Sequence, residues 1–295
     1  MTARVIKKYG LKKSFKERVF DAVRRIPLGA VLTYAQVANR AGEYNRGAHE
    51  KQSLLLLEAI CTKLGIKDCK QEIFKNGAGG TVSIYKPVGP TSHGVINMVR
   101  RAVGIKKVGH AGTLDPLASG VLVVAIGRAA TRELNNIVKK EKEYIANLRF
   151  GFVSTTDDEE GTKTKVTFMY KPTRADVIRT LKNFIGEIDQ TPPAFSAIKI
   201  NGVRAYKLAR AAEGTPGQTK KEAQVSGVSG PKMIPRKVFI KSIKLISFKW
   251  PNAQIKVVCG PGTYIRSLAR DIGRNLGGGA FMSGLERTMV GEYKK

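Results

Sequence analysis

The first 78 residues show a spacing of hydrophobic positions that is typical of helices. Residues 14–26, "SFKERVFDAVRRI", place their large apolar side chains on one helical face and open with the S-x-x-E spacing of a capping box. Residues 33–42, "TYAQVANRAG", open with the related T-x-x-Q spacing and end at a glycine, and residues 50–64 predict a third helix. This order predicts a small helix-turn-helix domain over residues 1–78. A helical module for protein contacts is the alternative.

Beyond the glycine-rich stretch "KNGAGG", β-type runs are mixed with helical patterns. The runs "TVSIYKP", "GVLVVAIG", "KEYIANLRFGF", "VFIKSIKLISFKW" and "AQIKVVCG" predict strands, and several of them alternate between apolar and polar residues. The stretches "GVINMVRRAVG", "RADVIRTLKNFIG" and "GTYIRSLARDIGRNLG" predict helices. This mixture predicts a second, α+β domain over residues 79–295, with a mixed and largely antiparallel sheet.

The charge of the chain points to a polyanionic partner. Its 295 residues include 52 Lys and Arg against 23 Asp and Glu, a formal net charge of +29. That excess is larger than solubility requires, and phosphate neutralisation by nucleic acid is its usual use. A membrane surface is the weaker alternative, because the sequence contains no long apolar run and no signal peptide.

The cysteines favour a reducing compartment. Cys61, Cys69 and Cys259 form an odd and scattered set that matches neither a disulfide framework nor a common zinc site. We therefore expect a cytoplasmic protein with no structural metal.

The segment "GHAGTLDPLASGVL" at 109–122 packs small residues around a single carboxylate, Asp115. Gly109, Gly112 and Pro116 would let this loop approach a nucleotide closely, and the apolar run that follows would anchor it in a sheet. An isolated Asp-Pro pair is also common in ordinary turns, so this residue alone does not establish a site.

The pattern G-H-x-G-T-L-D-P-L-A-S-G-V-L resembles the catalytic signature of the TruB family of pseudouridine synthases, which modify uridine 55 in the T loop of transfer RNA. The segments "SIYKPVGPTSHGVI", "KEYIA", "PPAFSAIKINGVRAYKLAR", "GPGTYIRSLARDIG" and "LGGGAFMSGLER" resemble the other motifs of that family, in the same order. The resemblance covers residue 80 to the C-terminus, and it implies a pseudouridine synthase fold.

The resemblance also implies roles for individual residues. Asp115 matches the catalytic aspartate, Tyr144 the tyrosine that stacks on the target base and acts as a base, and Arg266 the arginine that pairs with the aspartate. Further matched positions either line the uracil pocket (Tyr264, Leu285), replace the extruded base in the T loop (His110), or contact RNA or support the pocket (Lys86, Lys199, Tyr206, Arg210).

Physical chemistry agrees with these roles. An aspartate in a tight apolar site tends to be protonated, and a nearby guanidinium reverses that preference and orients the carboxylate. The isomerisation needs no metal, redox cofactor or nucleotide, so none is expected. Taken singly, Tyr206 and Tyr264 are compatible with core tyrosines and Arg266 with a solvated helix face. A non-catalytic tRNA-binding chaperone and a DNA-binding regulator are the alternative functions.

Two features depart from the family pattern. The chain ends soon after "LERTMVGEYKK", which leaves no room for the C-terminal RNA-binding PUA domain of many relatives. We therefore expect a bacterial-type monomer that acts on the tRNA T arm without a guide RNA.

Residues 15–42 resemble the helix-turn-helix part of alkylguanine-DNA alkyltransferases, with Tyr34 at the position of a phosphate-contacting tyrosine. No P-C-H-R motif follows, so we expect a nucleic-acid-binding appendage and no alkyl transfer.

Overall fold

The structure, a computed structural model, describes residues 80–103, 105–212 and 231–295. The chain divides into two compact units: Met1–Val138 together with Lys295, and Lys139–Lys294. The predicted helix-turn-helix domain and Tyr34 lie outside the described residues, so both remain predictions. The same holds for the predicted domain boundary after residue 78.

The first unit contains a small antiparallel arrangement of strands with two helices. Its described elements are β1 (Thr81–Lys86), α1 (Ser92–Val103), β2 (Val108–His110), β3 (Ala118–Ile126) and α2 (Arg128–Val138). Strand β3 pairs antiparallel with both β1 and β2. Nearly all of β3 is buried, which is why its sequence is continuously apolar instead of alternating. Helix α1 packs Val95, Ile96 and Val99 into one core with residues of β1, β2 and β3.

The second unit is built on a larger antiparallel sheet. Its strands are β4 (Lys142–Phe150), β5 (Phe152–Ser154), β6 (Lys163–Lys165), β7 (Gly186–Gln190), β8 (Lys199–Ile200), β9 (Val203–Arg204), β10 (Arg236–Lys249), β11 (Asn252–Cys259), β12 (Ala280–Val290) and β13 (Tyr293–Lys294). The sheet order is β12-β4-β11-β10-β7, with β13 paired to β12, while β5-β6 and β8-β9 form separate hairpins. Its helices are α3 (Arg174–Lys182), α4 (Ala205–Ala212) and α5 (Ile265–Asn275).

Strand β4 shows how the alternating pattern forms the core of this unit. Every second side chain of β4, from Lys142 to Phe150, is buried, while the residues between them are more exposed. Helix α5 packs against β12 and β4, and α3 packs against β10. The α+β class and the largely antiparallel sheet are therefore confirmed for the part of the chain that the structure describes.

Helix α3 is shorter than its sequence pattern predicts. It begins at Arg174, directly after the N-cap residue Thr173, whose capping box includes Asp176, and it ends at Lys182 instead of continuing to Gly186. Gly186 has a φ of +101°, a value open to glycine, and it is the first residue of β7. The "FIG" triplet of the predicted helix is thus the connection into a strand.

Within the described segments, no helix combines the length and the apolar character that crossing a membrane would require.

Candidate functional site

The loop that carries Asp115 is held on its N-terminal side by one buried serine. The Ser92 hydroxyl donates to the Leu114 carbonyl oxygen and accepts from the Leu114 N–H, both at 2.8 Å. Ser92 is the first residue of α1 and is buried. Ser92 is also the last residue of the segment "KPVGPTS". Its hydrogen bonds to Leu114 therefore connect this sequence motif to the loop that carries Asp115.

The loop is held on its C-terminal side by the turn at residues 86–90. The Pro116 carbonyl oxygen accepts from the Gly89 N–H at 2.8 Å and from Lys86 Nζ at 3.5 Å. Lys86 is fully buried, and its ammonium also donates to the Pro87 and Pro90 carbonyl oxygens at 2.9 Å. The two roles considered for Lys86, RNA contact and support of the pocket, remain predictions.

Asp115 itself lies half-buried at the start of a tight turn. Its carbonyl oxygen accepts from the Ala118 N–H at 3.0 Å, and β3 begins at Ala118. Gly112 has a φ of +88°, so the loop uses the freedom of that glycine. Packing requires a glycine at position 109, because a Cβ atom there would lie 2.7 Å from Leu134 Cδ1 of α2.

His110 lies at the end of β2, opposite Val124 of β3, and is half-buried. Strand β2 therefore leads directly from the neighbourhood of α2 into the Asp115 loop. The role of His110 in the RNA loop remains a prediction.

In the second unit, Tyr144 and Leu285 are brought to one face of the sheet. Tyr144 of β4 is paired with Arg287 of β12, and Leu285 is paired with Ala146. Directly opposed residues of antiparallel strands share a face, and so do residues two apart on one strand. Arg287 lies on that face as well and is only 1% exposed, and the sequence analysis did not single it out.

The start of α5 is fixed by the buried side chain of Gln190. The Tyr264 N–H donates to Gln190 Oε1 at 2.7 Å, and Gln190 Nε2 donates to the Tyr264 carbonyl oxygen at 3.1 Å. Ser267 adds a hydrogen bond to the Thr191 carbonyl oxygen at 2.8 Å. This arrangement positions Arg266, which lies between the two anchored residues.

Arg266 is buried, so the alternative of a solvated helix face is wrong. Its Nη1 lies 3.3 Å from Asp158 Oδ2, and its Nη2 donates to the Phe195 carbonyl oxygen at 3.1 Å. Asp158 is a partner that the sequence analysis missed. Asp115 and Arg266 belong to different units, and the predicted pairing between them remains a prediction.

A second ion pair connects α5 to the β5-β6 hairpin, whose turn contains both Asp157 and Asp158. Asp157 Oδ2 lies 2.6 Å from Arg270 Nη1, and the hairpin residue Asp157 has a φ of +61°. Burial raises the pKa of Asp157, against the opposing charge and hydrogen bond of Arg270. The segment "TTDDEEGT" is therefore a structural support of the arginine-bearing helix.

The remaining matched residues lie on the β8-β9 hairpin and α4. The Arg210 guanidinium lies 5.6 Å from the centroid of the Tyr206 ring, within the range of a cation–π contact. Lys199 and Arg210 are exposed, while Tyr206 is half-buried. Two of the predicted RNA-contacting residues are thus adjacent on α4, and the cationic one is accessible.

Among the described residues, no group of three or more His, Cys, Asp or Glu side chains is arranged to hold a metal ion.

Comparison with known proteins identifies the family. The model of the "TruB family pseudouridylate synthase (N terminal domain)" matches residues 100–265. The tRNA pseudouridine synthase B of Clostridium perfringens is 43% identical over 217 residues, which are 73% of this chain and 68% of that protein. The chain belongs to the TruB family. The TruB relative from Symbiobacterium thermophilum is 42% identical over 217 residues, 72% of this chain and 67% of its own length.

Solved structures of related proteins share this TruB fold. A chain of a Cbf5-Nop10-Gar1 complex is 30% identical, with a TM-score of 0.53, and the match covers 73% of this chain and 50% of that one. A chain of an H/ACA RNP bound to a substrate RNA containing 2'-deoxyuridine is 28% identical, with a TM-score of 0.51 over 73% of this chain and 49% of that one. The matched part of this TruB chain thus spans about half the length of those chains.

Proposed function

We propose that this protein is a tRNA pseudouridine synthase that isomerises the T-loop uridine at position 55, with Asp115 as its catalytic carboxylate. The observation that carries the proposal is the anchoring of the Asp115 loop at both neighbouring peptides, by Ser92 on one side and by Gly89 and Lys86 on the other. A carboxylate that must act at one atom of a substrate requires this kind of preorganisation.

The reaction is an isomerisation in which atoms are conserved. The bond between uracil N1 and ribose C1′ breaks, the uracil turns, and a bond between C5 and C1′ forms. The hydrogen leaves C5, and N1 gains a proton. An ionised carboxylate can act as a nucleophile or stabilise developing positive charge at the sugar.

The other matched residues complement this carboxylate. We assign to Arg266 the role of orienting the Asp115 carboxylate, because a guanidinium and a carboxylate form paired hydrogen bonds of defined geometry. We assign to Tyr144 the stacking of the flipped uracil and the late transfer of the C5 proton. Its position on one sheet face with Leu285 supports a shared base pocket.

The proposed substrate is the T arm of tRNA, which the enzyme modifies without a guide RNA and without a metal or organic cofactor. The net charge of +29 suits a folded RNA, and the curated relatives carry the name tRNA pseudouridine synthase B. Lys199, Tyr206 and Arg210 are proposed to contact that RNA, with the Tyr206–Arg210 pair offering a planar cation next to an aromatic face.

Tritium release from a T-arm transcript labelled at C5 of uridine tests the proposal. Wild-type protein should release tritium, and Asp115→Asn, which preserves volume and removes charge, should reduce release by about 10⁴-fold or more. Asp189→Asn, at an exposed position of β7, is the matched control and should retain activity. Equal release by wild type and Asp115→Asn would place the chemistry elsewhere. Tight RNA binding without release by wild type would favour a chaperone.

A further inference from the structure

A basic cavity lies at the N-terminal end of α2, and the Asp115 turn is not part of its lining. It has a volume of about 260 Å³ and is lined by Lys107, Arg128, Thr131 and Arg132. Three of its four lining side chains are cations, and none is an acid. No role was assigned to these residues by the sequence motifs.

The cations of this cavity have no counter-charge in the part of the chain that the structure describes. Neither Lys107, Arg128 nor Arg132 takes part in an ion pair or a side-chain hydrogen bond with another described residue, and all three are exposed. The acid of α2, Glu133, accepts a hydrogen bond from Asn136 at 2.8 Å and does not line the cavity. Three unneutralised cations around one concave site attract an anion.

The backbone beneath the cavity is held by several hydrogen bonds. The Gly127 N–H donates to the Lys107 carbonyl oxygen at 2.7 Å, and the Gly127 carbonyl oxygen accepts from the Thr131 N–H and hydroxyl at 3.1 and 2.9 Å. The close approach of Gly109 to Leu134 packs β2 directly on α2. Lys107 directly precedes β2, and Arg128 and Arg132 belong to α2. Because β2 and α2 pack against each other, the three cations form a defined site instead of a diffuse patch.

We propose that this cavity binds a backbone phosphate of the RNA substrate, an inference that rests on the proposed function. Guanidinium groups match the geometry of phosphate oxygens, and the first turn of a helix adds unpaired N–H groups. Gly127, which precedes α2, has no side chain to cap those groups.

The position of the cavity along β2 indicates which part of the RNA it reaches. Lys107 directly precedes β2, and His110, three residues later, ends that strand. At the rise of a β-strand this is a span of roughly 10 Å. This short distance places the cavity close to an RNA loop held at His110.

The salt dependence of binding tests this site. The Arg128→Gln/Arg132→Gln double variant should bind a T-arm transcript more weakly and lower the slope of log affinity against log salt concentration by about 1, the loss expected for one phosphate contact. The control is Arg101→Gln/Lys106→Gln, which removes the same charge at exposed positions outside the cavity. Equal slopes for the cavity variant and the control would overturn the proposal.

Substitution of single phosphates by neutral methylphosphonates identifies the contact. One position in the transcript should weaken binding by wild type and have no further effect on the cavity variant. Additive losses at every position would contradict a phosphate site here. Tritium release is scored on the same samples: an inactive wild type with the expected slopes refutes the isomerase proposal alone, whereas an active wild type with unchanged slopes refutes the cavity proposal alone.

Discussion

The Ser92 hydroxyl is hydrogen-bonded to both the backbone N–H and the carbonyl oxygen of Leu114, the residue directly before Asp115. Because one side chain serves both the N–H and the carbonyl oxygen of Leu114, it fixes the two peptide groups on either side of the Leu114 Cα. Ser92 therefore positions the Asp115 carboxylate through hydrogen bonds to the neighbouring residue Leu114. Ser92 is a positioning residue in the proposed enzyme.

Ser92→Ala should destabilise the fold and slow the reaction. The substitution leaves a buried N–H and carbonyl oxygen without their partner, at a cost of about 2 kcal/mol in the free energy of unfolding. Urea denaturation measures that cost, and kcat should fall more than KM rises because the loop geometry is loosened. His93→Ala, at the exposed neighbouring position, is the control and should leave both quantities near wild type. Unchanged stability of Ser92→Ala would show that the hydroxyl does not hold the loop.

Gln190→Glu should disturb the start of α5. A carboxylate can still accept from the Tyr264 N–H, but it opposes the Tyr264 carbonyl oxygen to which the amide donates. The Tyr264 carbonyl oxygen keeps its helical hydrogen bond from the Leu268 N–H, so the cost is the lost amide hydrogen bond and the repulsion between carboxylate and carbonyl oxygens, about 1–3 kcal/mol. The comparison is Glu187→Gln on the same strand, which removes an exposed pair with Lys237 and should cost under about 1 kcal/mol. Similar urea midpoints for the two variants would argue against the Gln190 clamp.

Asp158→Asn should destabilise the second unit, because it removes the negative partner of a buried ion pair with Arg266. We expect a loss of about 3 kcal/mol, at the low end for breaking a buried pair, since Arg266 retains its bond to the Phe195 carbonyl oxygen. Glu159→Gln, next to it, breaks a more exposed pair with Lys163 and should cost under about 1 kcal/mol. A positioning role for Asp158 also requires kcat to fall in Asp158→Asn at temperatures where the variant is folded.

Glu143 should make the stability of the protein depend on pH. Burial pushes the pKa of this carboxyl up, but hydrogen bonds from Lys256 and Thr288 and the charge of Lys256 outweigh it, so the pKa is lowered. A lowered pKa in the folded state means that the stabilisation is present above the unfolded pKa of about 4.3 and is lost as pH falls through the folded value. The stability difference between wild type and Glu143→Gln should therefore be largest near neutral pH and narrow below about pH 4.

Urea titrations between pH 3 and 7 measure this dependence. Lys256→Met removes the principal donor to Glu143, so it should weaken the pH dependence in the same direction. A difference between wild type and Glu143→Gln that stays constant across this range would show that the hydrogen bonds do not lower the pKa.

Local sequence patterns were sufficient for the main strands. The alternation in "KEYIANLRF" predicts one buried face of β4, and the continuous apolar run "GVLVVAI" predicts a strand buried on both sides, because side chains of a strand alternate between its faces. Strand β12 was not predicted. Register shifts near Met282 and Arg287 interrupt its alternation, so its sequence has no regular period.

The motif residues could likewise be named from the sequence, because the order and spacing of the motifs are carried by the chain itself. Asp115, Tyr144 and Arg266 were all predicted in this way, whereas the residues that hold their segments in place were not. Gln190 and Tyr264 are 74 residues apart, and Asp158 and Arg266 are 108 residues apart. Hydrogen bonds between such distant residues leave no periodic pattern in the sequence, and only the tertiary structure brings the partners together.

The same reason explains the basic cavity. Lys107 precedes β2, and Arg128 and Arg132 belong to α2, so in sequence they are ordinary surface cations of a basic chain. The packing of β2 on α2 converts them into one concave site. The sequence by itself determined the family, the class of fold and the candidate carboxylate, since these depend on local pattern and motif order. The tertiary structure decided which side chains anchor that carboxylate and where charge accumulates, since both depend on contacts between distant parts of the chain.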